Sequence, residues 1–255
     1  MPQSSRRPTR HQLFSLFLIV LFGFALRLYN LEEIYLWHDE TDWFDEQIYD
    51  GNTVGWRRYA ALKAQEHSVG PAWPVIVGLG SRLFGRDISG SRMTSVLIGT
   101  AQIAATFLLL YLAILRYSHH PPFLPAAIAA CLTAASIVPL DFSQRLLPYV
   151  AVPFLSTLIL LGHLAIHKQL KQDVITIPAI SILGLIYAVI CSFSLAVHLS
   201  IVIVIGSSFL LLAYELLASL KRLDPETRNS VIIICALAIV PIGITFLFSW
   251  LHLSP

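Results

Sequence analysis

The chain has 255 residues, of which 56% are hydrophobic and 13% charged, and its mean hydropathy is +0.72. A water-soluble domain of this size cannot carry that composition on its surface, so the sequence is that of an integral membrane protein with no room for a large soluble catalytic domain. A net charge of +2 from scattered basic residues argues against nucleic acid as a partner.

A spanning helix needs roughly 20 apolar residues, and the chain offers about seven such runs. The first, Gln12 to Tyr29, follows Arg6, Arg7 and Arg10 and ends in Arg27, Leu28, Tyr29 and Asn30. Small residues would be needed there for cleavage, so an uncleaved signal anchor is expected, with residues 1–11 as a cytoplasmic tail. The long segment 31–90 comes next. Within it Trp43, Phe44, Ile48, Trp56, Tyr59 and Leu62 recur at loose helical spacing, which predicts an interfacial helix between Thr41 and Glu66. Pro71 to Phe84 is apolar but too short to cross, and Gly85 stands where a helix would end, so a second interfacial helix is expected there.

Six further spans are predicted in residues 91–255: Met93 to Leu115, Phe123 to Leu140, Leu146 to Ile166, Val174 to Phe193, Ser200 to Leu217 and Val231 to Leu253. Pro178 and Pro241 fall inside two of them, and Cys131, Cys191 and Cys235 read as small packing residues. The predicted fold is thus an all-α polytopic membrane protein, one transmembrane domain over residues 1–255.

Basic residues are retained on the cytoplasmic side. With the N-terminus inside, the short inner segments carry Arg116, Lys168, Lys171, Lys221, Arg222 and Arg228 besides the first three arginines, and segment 31–90 lies outside with most of the acids. Glu215 sits near an inner span end, where it can reach the interface. A secondary transporter is the least favoured class, because few ionisable residues lie at mid-depth.

The densest chemical candidate is Leu36-Trp37-His38-Asp39-Glu40, just beyond the first span. A carboxylate in that mixed dielectric suits a general base or a loosely held divalent cation such as Mg or Mn; a solvated acidic cluster is the alternative reading. The nearby Trp37, Trp43 and Trp56 fit an interfacial belt.

This arrangement resembles the GT-C glycosyltransferases, and within them the protein O-mannosyltransferase and aminoarabinose transferase superfamily, including its lipopolysaccharide-decorating branch. The resemblance is carried by Asp39-Glu40 in the first outer loop and by Gly70 through Gly85 into Ser91-Arg92-Met93. Phe142-Ser143-Gln144-Arg145-Leu146-Leu147-Pro148-Tyr149 and His198 complete it. The family's His-Pro-Pro-Leu pattern is altered here to His67-Ser68-Val69-Gly70-Pro71, and Arg145 lies two places ahead of the family's usual basic position.

The resemblance implies hexosyl or pentosyl transfer from a polyprenyl-phosphate-linked sugar to a glycan, lipid or protein acceptor, on the outer face of a bacterial cytoplasmic membrane. Asp39 would be the catalytic acid and Glu40 its partner, either one also able to hold the cation. Arg145 would meet the carrier phosphate; Asp141, Tyr149, His198, Arg92 and His67 would line the substrate site, and membrane lipids would surround it. Asp141 reads equally as a turn residue, and Arg92 as an interfacial anchor. Family members are commonly longer, so a noncatalytic or split membrane subunit that works with a C-terminal partner is the competing reading.

Overall fold

The computed structural model describes residues 8–34, 70, 72–171, 176–220 and 225–253, and among these it consists of helices joined by turns, with no strand. The helices are α1 (Arg10–Leu28), α2 (Ala72–Phe84), α3 (Ile88–Tyr117), α4 (Phe123–Ala135), α5 (Ile137–Ser143), α6 (Ala151–Leu170), α7 (Ile177–Val197), α8 (Val202–Leu220) and α9 (Pro225–Leu253). Among the described residues, five helical stretches are long and apolar enough to cross a membrane, six if the bent pair α4 and α5 counts as one. The chain is an all-α, multi-pass membrane protein. The expected interfacial helix between Thr41 and Glu66 lies outside the described residues; the second one is α2.

The element boundaries follow local chemistry. Thr9 and Gln12 close a reciprocal capping box at the start of α1. Asn30 ends that helix in the left-handed region at φ 53°, a conformation asparagine tolerates. Gly85, at φ 124°, stops α2, and the Asp87 carboxylate then accepts from Gly90 N–H at 2.7 Å to start α3. At 30 residues α3 is about 45 Å long, well beyond the hydrocarbon thickness. Pro178 falls in the first turn of α7, where its missing N–H costs nothing, so it breaks no span.

One predicted span is broken. Pro139 has no N–H to offer Ala135, and its ring crowds that carbonyl, so the run from Phe123 divides at Ser136 into α4 and α5, bent by 56°.

The chain forms two compact units, Met1–Tyr59 with Pro74–Thr157, and Ala60–Trp73 with Leu158–Pro255. In the first, α1, α3 and α4 pack together around Ile103, Phe107, Tyr111, Ala126, Ala130 and Ala134. Small residues on α4 let the helices approach closely, which is how spans associate where lipid removes the hydrophobic drive. The outer face of α1 leaves Phe14, Phe17, Leu21 and Phe22 exposed, as suits contact with lipid chains. In the second unit α7 packs most extensively against α9, and Gly162 lets α6 close onto the ring of Tyr187, which a Cβ would meet at 2.7 Å.

Candidate functional site

Several polar side chains of the first unit gather where α1 ends. Asn30 turns the chain out of the helix and leaves the last carbonyls without intrahelical partners. Gln144, from the turn after α5, fills that gap: the two hydrogens of its amide Nε2 are shared among the carbonyls of Leu26 and Arg27 at 3.2 Å and of Tyr29 at 3.0 Å. Just beyond, Arg92 Nη1 donates to Leu31 O at 2.9 Å and Ile34 O at 3.0 Å. Arg92 is fully buried near the start of α3. Two side chains distant in sequence therefore fix the path by which the chain leaves α1, five residues before Asp39.

Arg145 follows Gln144 and is held by Asp141 across one helical turn. Its Nε lies 3.0 Å from both carboxylate oxygens, and its Nη2 lies 2.7 Å from Oδ1. The guanidinium is mostly buried while the carboxylate keeps about a third of its surface open, 9% against 36%. Such a fork holds the guanidinium in one orientation, which a lysine could not reproduce. Tyr149, in the short 3₁₀ turn Pro148–Val150, packs its ring on Phe142 at 5.5 Å. Arg92, Asp141, Arg145 and Tyr149 all belong to the first unit.

His198 belongs to the second unit, in the turn between α7 and α8. Its Nδ1 accepts from Ser200 N–H at 3.2 Å and lies 2.8 Å from Ser200 Oγ. Burial favours the neutral imidazole and lowers its pKa below 6.5. Gly70 donates to Val197 O at 2.9 Å beside it, and a Cβ there would sit 2.0 Å from Ala196 O, so only glycine permits the approach.

Asp39, Glu40 and His67 lie outside the described residues. Among the described residues no group of three His, Cys, Asp or Glu side chains is arranged to hold a metal.

Sequence reasoning missed three features. Gln144 was noticed only as part of a motif, although an amide next to a basic residue at a span end is a natural carbonyl cap. Arg27, fully buried, donates from Nη1 to Gly23 O at 2.8 Å and Ala134 O at 3.3 Å, and from Nη2 to Thr133 O at 3.3 Å. Its signal was an arginine inside the apolar run of α1. The third is the pair His163 and His167, spaced to share one face of α6 and meeting Glu215 of α8. No protein-family model, curated protein or solved structure matches the chain.

Proposed function

We propose that the chain is a membrane glycosyltransferase of GT-C type, which moves a sugar from a polyprenyl-phosphate carrier to an acceptor on the outer face of a bacterial cytoplasmic membrane. The observation that supports this reading is the anchoring of the exit from α1 by Gln144 and buried Arg92, beside an Arg145 held by Asp141. A loop acid can act as a base only if the chain that carries it is fixed, and the leaving phosphate needs an oriented cation nearby. In this reading Asp39 takes the proton of the acceptor hydroxyl. The acceptor oxygen bonds to the anomeric carbon as the bond from that carbon to the phosphate oxygen breaks, and the carrier leaves as polyprenyl phosphate with the bonding electrons. Arg145, positioned by Asp141, meets the charge that develops on that phosphate.

The test is sugar transfer by the purified chain in lipid nanodiscs, with a polyprenyl-phosphate sugar as donor. Asp39→Asn keeps the shape of the side chain and removes the base, and transfer is expected to fall by a factor of about 100 to 10,000. Asp45→Asn, the control in the same acidic stretch, is expected to lose less than about tenfold. Equal transfer by the two variants would overturn the catalytic reading. Transfer that appears only when a separate C-terminal partner is added would favour the split-subunit reading instead.

A further inference from the structure

The second unit holds a polar cluster inside its helices that the glycosyl-transfer reading does not use. His163 and His167 lie one turn apart on α6, with stacked rings 6.3 Å between centroids. Glu215 of α8 faces both: Oε1 is 3.9 Å from His163 Nε2, and Oε2 lies against His167 Nδ1. Behind His163, Tyr187 of α7 donates to Ser208 Oγ at 2.7 Å, and Ser208 Oγ is 3.0 Å from His163 Nδ1. With Tyr187 as donor, the Ser208 hydroxyl hydrogen is available to His163 Nδ1, and Nε2 then carries the ring hydrogen toward Glu215. The single hydroxyl hydrogen of Ser219 is shared between Glu215 O of α8 at 2.8 Å and, more weakly, Leu170 O of α6 at 3.4 Å.

The surroundings are apolar. Both histidines are buried and Glu215 is four-fifths buried. Tyr187 borders a cavity whose other walls include Ile166, Leu170, Gly184, Phe209 and Leu216. The remaining titratable or charged groups on the packed elements are Cys191 on α7, buried, with Lys168 and Lys171 at the end of α6 and Tyr214 on α8, all exposed. On α9 the described side chains include one charge, Arg228, which is exposed. Ionisable groups held inside spans are expensive and mark function more often than packing.

We propose that His163, His167 and Glu215 form a proton-binding site that holds α6 to α8. The charge count sets how it works. With one proton shared among the three groups the cluster is neutral, either as imidazolium and carboxylate or as imidazole and carboxylic acid. Loss of that proton leaves a single buried negative charge, and a second proton leaves a single positive one. Either state strands a charge away from water. The stabilisation is therefore greatest while the cluster carries one proton and no net charge, and either charged state weakens it.

The experiment follows thermal unfolding of the full chain in detergent micelles across pH, for the unmodified protein, Glu215→Gln, His167→Gln and the double variant. Glu215→Gln removes the anionic partner, so its Tm deficit is expected to be on the order of 4 °C or more on the acid side and to shrink at least about twofold on the alkaline side. The double variant, which has neither charge, is expected to recover most of the loss of Glu215→Gln. A deficit that does not change with pH would overturn the proposal, as would losses for the two single variants that simply add. Should Glu215→Gln fail to fold, the double variant is still expected to fold, and its failure would also overturn the proposal.

Discussion

At the scale of single residues, Arg27 is the side chain whose cost and benefit can be weighed most directly. Removal of a guanidinium from water is unfavourable, and an apolar replacement for a buried charge is often neutral or stabilising when the partner charge goes with it. Here the partners are backbone carbonyls that cannot be removed. The break at Ser136 leaves Thr133 O and Ala134 O without their intrahelical donors, and Arg27 supplies both hydrogen bonds. Each buried carbonyl left unsatisfied costs about 1–3 kcal/mol. Arg27→Met, which fills much of the same space, is therefore expected to lower stability by about 2 kcal/mol or more, read from unfolding in mixed micelles with increasing dodecyl sulfate. A Met variant as stable as the parent would show that relief from desolvation outweighs the capping. The surrounding residues agree with a built site: a Cβ on Gly99 would lie 3.0 Å from Arg27 Nε, and one on Gly23 would lie 3.3 Å from Nη1.

At the scale of elements, glycines separate close helix contacts from lipid-facing positions. Gly80 of α2 faces Thr94 of α3, and an added Cβ would come within 1.7 Å of Thr94 Oγ1; Gly206 of α8 has nothing within 4 Å. Gly80→Ala is expected to cost about 1–3 kcal/mol, and Thr94→Ala in the same chain to restore most of it. Gly206→Ala is expected to change stability by less than about 1 kcal/mol in either direction. The same micelle unfolding measurement checks both, and equal effects at the two sites would show that α2 and α3 are not in this contact. Much of this architecture was legible from the sequence, because apolar runs of sufficient length have no other stable arrangement in a membrane. The stop signal Gly85 also acts as its chemistry suggests, whereas Asn30 ends the first helix without having been read as a stop. The break in the span that begins at Phe123 was not recognised: Pro139 was visible, but a proline inside a span is tolerated as often as it divides one, and the outcome here depends on Arg27, more than a hundred residues away in sequence. The candidate site divides in the same way. Arg145 and Asp141 were each singled out in the sequence without their pairing, while the caps by Gln144 and Arg92 and the contacts of Glu215 with His163 and His167 are pairings between distant segments.

For the whole molecule, the bent pair α4 and α5 decides the orientation of everything after it. If the pair crosses the membrane, α6 runs from the outer side inward, and Lys168 and Lys171 end on the cytoplasmic side with Arg6, Arg7 and Arg10. If it instead enters and returns on one face, α6 runs the other way and those lysines lie outside, against the rule that retains basic residues in the cytoplasm. The charge pattern therefore favours a crossing. The bend does not oppose it, because Arg27 satisfies carbonyls that a broken span would otherwise expose to lipid. Two positions distinguish the alternatives. In a chain whose three native cysteines are replaced by alanine, a single cysteine at Asn52 is expected to react with a membrane-impermeant maleimide added to intact cells, and one at Gln172 is expected to react only after the membrane is opened. Both alternatives place Asn52 outside, so that site is the positive control for expression and insertion. Reaction of Gln172 in intact cells would identify α4 and α5 as a re-entrant hairpin, against the contact of Gln144 with the end of α1, and would reverse every helix after them. Reaction at Gln172 with protection at Asn52 would reverse the whole chain and move the proposed chemistry of Asp39 and Arg145 to the cytoplasmic face.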